Sequence, residues 1–124
     1  VANLSAYDRY QRETRPIRWV KAAQKDFEDF PRGARDDLFD ALTAVAEGGH
    51  PVVAKPLAGL GVGIMELALR YRGDAFRVVY ALRLGPDVWV VHAFQKKSTS
   101  GIATPKPEID LIIDRLKRLK ELLK

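Results

Sequence analysis

Three strand-like runs in close succession, Ile64 to Arg72, Ala75 to Leu84 and Val88 to Phe94, constrain this chain more than any other feature. The links between them, Gly73-Asp74 and Gly85-Pro86-Asp87, are short and made of turn formers. Parallel neighbours need a long crossover, so runs joined this closely form an antiparallel meander. Successive strand side chains point to opposite faces. Met65, Leu67, Leu69 and Tyr71 therefore line up with Phe76, Val78, Tyr80 and Leu82, while Glu66, Arg70 and Arg72 line up with Arg77, Val79, Ala81 and Arg83. One face of the sheet is apolar and the other bears arginines, which are expected to be exposed there.

A sheet with one apolar face must be covered, and the flanking segments supply the cover. Ile17 to Val20 reads as a first strand. Ala23, Phe27 and Phe30 then recur at the spacing of one buried helix face until Pro31 interrupts. Ala34, Leu38, Ala41 or Leu42, and Val45 form the stripe of a second helix that stops at Gly48-Gly49. Residues 55–63 read as a loop whose glycines serve turns. They are no dinucleotide fingerprint, which needs a strand before the glycines and a helix opening on them. After the meander, Thr104 is the expected N-cap of a last helix, with Pro105 and Pro107 in its tolerant first turn and Glu108 at the positive end of its dipole. Ile109, Ile112, Ile113, Leu116, Leu119 and Leu123 form its buried stripe, with Asp114 and Arg118 paired on the wet side. A chain of 124 residues has room for one core. The expected fold is a single α+β domain over residues 17–124: a twisted, mostly antiparallel sheet with two N-terminal helices and a C-terminal helix packed on it, preceded by an arm at 1–16.

Several function classes drop out. Without cysteine there is no disulfide framework, thiolate zinc site or cysteine nucleophile. The only histidines, His50 and His92, have no accompanying carboxylate cluster, so neither a metal nor a cofactor is expected. No serine stands in a nucleophile elbow. No apolar run approaches the roughly 18 residues of a membrane helix, and a cytoplasmic protein is expected. The net charge is +5, and residues 96–124 alone carry 8 basic against 4 acidic side chains. Arg70 and Arg77 fall on adjacent strands beside Glu66, with Lys96 and Lys97 at the end of the last run. Such a cluster is either a solvated face with cross-strand ion pairs or a phosphate-binding surface. His92 shares strand parity with Val90 and Phe94 and reads as a core or semi-core histidine, although imidazole is also the side chain most easily tuned for proton transfer. Tyr80 falls on the apolar parity and reads as core.

The element order, the string Lys55-Pro56-Leu57-x-Gly59-Leu60-Gly61-x-Gly63-x-x-Glu66, the string Phe76-Arg77-Val78-Val79-Tyr80 and the string His92-Ala93-Phe94-Gln95-Lys96-Lys97-Ser98 together resemble the RelE/ParE superfamily of type II toxins. The likeness runs from about residue 16 to 120 and is closest to the phage-related, HigB-like branch. It implies a RelE-like fold and a toxin held inactive by a cognate antitoxin, acting on mRNA at the ribosome as a metal-independent endoribonuclease, and touching operator DNA only through the antitoxin. By the resemblance Arg77 and Lys97, with Lys96 beside it, bind and stabilise the scissile phosphate, and the other cations near them, Lys55, Arg70 and Arg72, are with Lys96 the expected RNA-binding residues. Glu66 and Ala68 stand where RelE toxins carry lysines, and no tyrosine follows Lys97. The proton chemistry is therefore arranged differently, with Glu66 or His92 as candidate base. ParE relatives share the fold but inhibit DNA gyrase, and a member without catalysis would act only with its antitoxin at the operator.

Overall fold

The computed structural model describes residues 14–96 and 103–124. In chain order the elements are β1 (Ile17–Trp19), α1 (Lys21–Glu28), α2 (Arg32–Ala46), β2 (Ala54–Pro56), β3 (Ile64–Tyr71), β4 (Asp74–Ala81), β5 (Val88–Lys96) and α3 (Lys106–Leu122). The strands form one sheet in the order β1-β5-β4-β3-β2. The meander β3-β4-β5 is antiparallel, as its short links require, and β1 joins its outer edge in parallel with β5. The chain is thus a single α+β domain. Lys97 and the arm before Thr14 lie outside the described residues. Arg15 and Pro16 are already tied into the domain. The Arg15 guanidinium donates to the carbonyls of Pro86, Leu82 and Asp87 at 2.7, 2.7 and 2.9 Å, and Val88 N–H donates to Pro16 O at 2.8 Å.

Three local details differ from the pattern in the sequence. The β3-β4 turn is Arg72-Gly73, one residue earlier than expected, with both residues at positive φ (49° and 87°) as a two-residue hairpin of primed type demands. Residues 54–56, expected to be loop at Lys55 and Pro56, form the edge strand β2, antiparallel to β3. Proline is tolerated at such an edge because the outward N–H needs no partner. Finally, a bulge interrupts the β4-β5 ladder: Val79 pairs with His92 but Tyr80 pairs with Val90, leaving Val91 extra. An extra residue shifts strand parity by one. Val90 therefore joins the core under α1 and α2, whereas Val91 packs under α3 and His92 faces the arginine side.

Both faces of the sheet are covered. On the apolar face Ala23 and Phe27 of α1, Phe30, and Ala34, Leu38, Leu42 and Val45 of α2 pack on Leu67, Phe76, Val78 and Tyr80. Tyr80 is core, and burial pushes its hydroxyl up to about 12. On the other face α3 seats Ile112, Leu116 and Leu119 on Ile64, Val79, Ala81 and Val91. Within the expected stripe of α3, Ile113 and Leu123 face solvent instead, at 47% and 45% exposure. Thr104 does not cap the helix. Pro105 is the N-cap residue, and its carbonyl accepts from Glu108 and Ile109 N–H at 3.1 Å, which releases the threonine hydroxyl for the sheet. The expected Asp114–Arg118 pair is present at 3.2 Å. Among the described residues, no helix is long and apolar enough to cross a membrane.

Candidate functional site

On the arginine face, beside the part on which α3 packs, several basic side chains gather around one carboxylate. The rows of this face follow from the strand register. Lys55, Glu66, Val79 and His92 lie across β2 to β5 in one row; Ala68, Arg77 and Phe94 form the next; Arg70, Ala75 and Lys96 form the third. Five of the residues singled out in the sequence, Lys55, Glu66, Arg70, Arg77 and Lys96, are thereby brought together, with His92 at the margin under α3. Arg72 is not among them. Its left-handed backbone in the hairpin turn carries the guanidinium to 5.5 Å from the Tyr71 ring centroid. Tyr71 packs with the opposite core.

The sequence implied exposed arginines here, and Arg77 departs from that. It is only 7% exposed, as is Lys96, and Glu66 is 1% exposed. Burying an ion pair requires that its remaining hydrogen-bonding capacity be used. Arg77 NH1 donates to Glu66 Oε1 at 2.8 Å, Lys55 Nζ lies 3.8 Å from the same oxygen, and Thr104 Oγ1 donates to Glu66 Oε2 at 2.7 Å. Glu66 is thus a hub that fixes Arg77, and both of its oxygens are engaged. Ala68 and Ala75 flank Arg77 with small side chains, leaving a hollow of about 140 Å³ that Leu69 and Arg70 also line. Two larger hollows, of about 580 and 590 Å³, open beside α1 and α2 and beside α3, away from this cluster. Lys55, with its side chain 42% exposed, and Arg70 are the cations of this group that lie open to a chain-like anion, and Arg77 lines the small hollow. Lys96 is buried, and burial and then the Arg77 charge push its pKa below the ordinary lysine value.

At the margin, His92 is 2% exposed and hydrogen-bonded through both ring nitrogens. Arg115 NH1 lies 2.8 Å from Nδ1, and Nε2 lies 2.7 Å from Glu108 Oε1. A guanidinium can only donate, so Nδ1 carries the lone pair and Nε2–H donates to the carboxylate. The ring is neutral in this arrangement. Burial holds its pKa below 6.5, opposed by the hydrogen bond to Glu108 and supported by the Arg115 charge. The Phe94 ring stacks against it at 5.2 Å. The sequence identified neither Arg115 nor Glu108 as partners of His92. Its one available signal is spacing: Glu108 and Arg115 stand four residues before and three after Ile112, so two charges fall on the helix face that is otherwise buried.

A stability consequence follows from the neutral ring. The unfolded chain binds a proton at His92 near pH 6.5, while the folded chain resists doing so. Above that pH the two states bind equally; below it the unfolded state binds more, so stability falls as the pH drops. Denaturant midpoints measured from pH 7.5 to 5 should decline below about pH 6.5 in the wild type. His92→Gln keeps a donor and an acceptor but cannot titrate, and its decline should be shallower over that range.

Among the described residues no group of three or more histidine and carboxylate side chains is placed to hold a metal ion. Residues 25–117 match the family model described as phage derived protein Gp49-like (DUF891). The chain belongs to this Gp49-like family. No curated protein matches it. The matched span of this Gp49-like chain runs from within α1 to near the end of α3, so it contains every residue of the cationic face and of the His92 cluster.

Proposed function

We propose that this Gp49-like chain is the toxin of a type II toxin-antitoxin system and arrests growth by cleaving mRNA on the ribosome, using the RNA's own 2′-OH as nucleophile. The observation that carries this reading is Arg77 lining a hollow on the cationic face, near the solvent-accessible Lys55 and Arg70, its guanidinium fixed by Glu66. Cleavage of this kind needs charge stabilisation on the phosphorane, a proton acceptor for the 2′-OH and a proton donor for the leaving 5′-oxygen. Arg77 supplies the first, together with Lys97. Lys96 has a proton made easier to lose by burial and by Arg77, and it is suited to the leaving oxygen. Lys55 and Arg70 hold the flanking phosphates, while Arg72, turned toward Tyr71, adds only to the surrounding field. Glu66 orients Arg77. A cognate antitoxin would cover this face with acidic side chains, and charge complementarity would speed that association.

Expression of the chain alone in bacteria, with mapping of mRNA 5′ ends, tests the proposal. Growth arrest with new 5′ ends inside coding regions is expected, along with relief when the antitoxin is coexpressed. Lys96→Ala and Lys97→Ala should each slow cleavage, by about tenfold to a hundredfold. Arg83→Ala, in the loop after β4, should remain toxic. Arrest with intact messages and inhibited supercoiling would instead assign a gyrase-type target, and absence of arrest would leave only a role with the antitoxin at the operator.

A further inference from the structure

Among the described residues two carboxylates border this face, and they differ in access. Glu66 is 1% exposed, with one oxygen on Arg77 and the other on Thr104. A carboxylate so enclosed cannot approach a ribose hydroxyl without breaking the contacts that fix Arg77. Glu108 has a side chain 32% exposed, and its bond to His92 occupies one oxygen, Oε1. His92 is cross-strand partner to Val79, two residues along β4 from Arg77. It is therefore a diagonal neighbour of Arg77 on the same face, about 7–8 Å away at the backbone. The entry to α3 links both ends of the site, since Thr104 bonds Glu66 and Glu108, four residues later, bonds His92.

We propose that Glu108 is the general base of the RNA cleavage, aimed at the 2′-OH of a nucleotide whose 3′-phosphate rests on Arg77, with His92 and Arg115 as the residues that position it. This inference rests on the RNA-cleaving reading above. Glu108 Oε2 takes the proton from the 2′-OH, the O2′–P bond forms and the P–O5′ bond breaks. The departing 5′-oxygen takes a proton from Lys96, so the products are a 2′,3′-cyclic phosphate and a 5′-hydroxyl. Exchange with water then resets both side chains. The neutral His92 is well matched to the task. It donates Nε2–H to Oε1 and so orients the carboxylate, while Arg115, bonded to His92 Nδ1 and to Val91 O at 3.2 Å, prevents the ring from flipping. Neither ring nitrogen is left to abstract a proton itself. His92, named in the sequence as a candidate base, acts here through Glu108, and Glu66, the other candidate, acts through Arg77.

The test uses the full chain on mRNA-programmed ribosomes, with wild type, Glu108→Gln, His92→Gln and Lys96→Ala compared. Glu108→Gln keeps an oxygen for His92 to donate to but is a far weaker base. It should lower kcat by about a hundredfold to a thousandfold with KM unchanged. His92→Gln, which can still donate to Glu108, should lose about tenfold, as orienting groups do. An mRNA with a sulfur leaving group in place of the scissile 5′-oxygen needs no acid, so it should rescue Lys96→Ala and leave Glu108→Gln defective. Wild-type kcat in Glu108→Gln overturns the inference, as does rescue of Glu108→Gln by the sulfur substrate or a loss at His92→Gln as large as at Glu108→Gln. If wild type binds programmed ribosomes and cuts nothing, the RNA-cleaving reading falls and this assignment falls with it.

Discussion

Arg77→Ala is expected to abolish growth arrest and to lower the unfolding free energy by about 3 kcal/mol. The two losses have different origins. Stability falls because the Glu66 carboxyl, 1% exposed, loses its closest partner and is left in the interior with Thr104 and the more distant Lys55. Activity falls because one preorganised donor to the developing phosphorane charge is gone, which is worth about a hundredfold to a thousandfold in rate. A double variant separates them. Arg77→Met with Glu66→Leu replaces the buried pair by apolar groups of similar size, a change that is commonly neutral for stability. Urea unfolding should therefore place the double variant near wild type, while mRNA 5′-end mapping should find no cleavage. Full toxicity in both the single and the double variant would mean that the cationic cluster is only a structural ion-pair network.

Phe76→Ala is expected to destabilise by about 3–5 kcal/mol while leaving the rate per folded molecule unchanged. Phe76 is 1% exposed, and its ring lies 4.8 Å from that of Phe30 in the core between the sheet and the two N-terminal helices. Removing it opens a cavity that rigid strands and helices cannot close. It is the chain neighbour of Arg77 and points to the opposite face. Denaturant titration reports the first effect, and cleavage rates normalised to folded protein report the second. A normalised rate reduced as far as that of Arg77→Ala would show that the loss at Arg77 is a folding effect rather than a chemical one.

The meander, its two faces and the covering helices were legible because they rest on periods of two and 3.6 residues that any local window displays. Phe76, Val78 and Tyr80 are buried under α1 and α2 as their alternation requires, and Ile112, Leu116 and Leu119 face the sheet as their helical spacing requires. The grouping of Glu66, Arg70 and Arg77 on one face was legible for the same reason.

What the tertiary structure alone decided is how that face is assembled. The bulge at Val91 places His92 on the arginine side although its parity matches Val90, because a bulge depends on how two strands pair and not on either strand by itself. The docking of α3 over Val79 and Val91 brings Thr104 to Glu66 across 38 positions and Glu108 to His92 across 16, and Arg77 is buried in an ion pair rather than exposed. Such meetings are set by where a helix lands on a sheet, a matter of shape fit between distant segments. Local spacing determined which residues share a face up to the bulge, and pairing between distant segments determined which of them meet and which are buried.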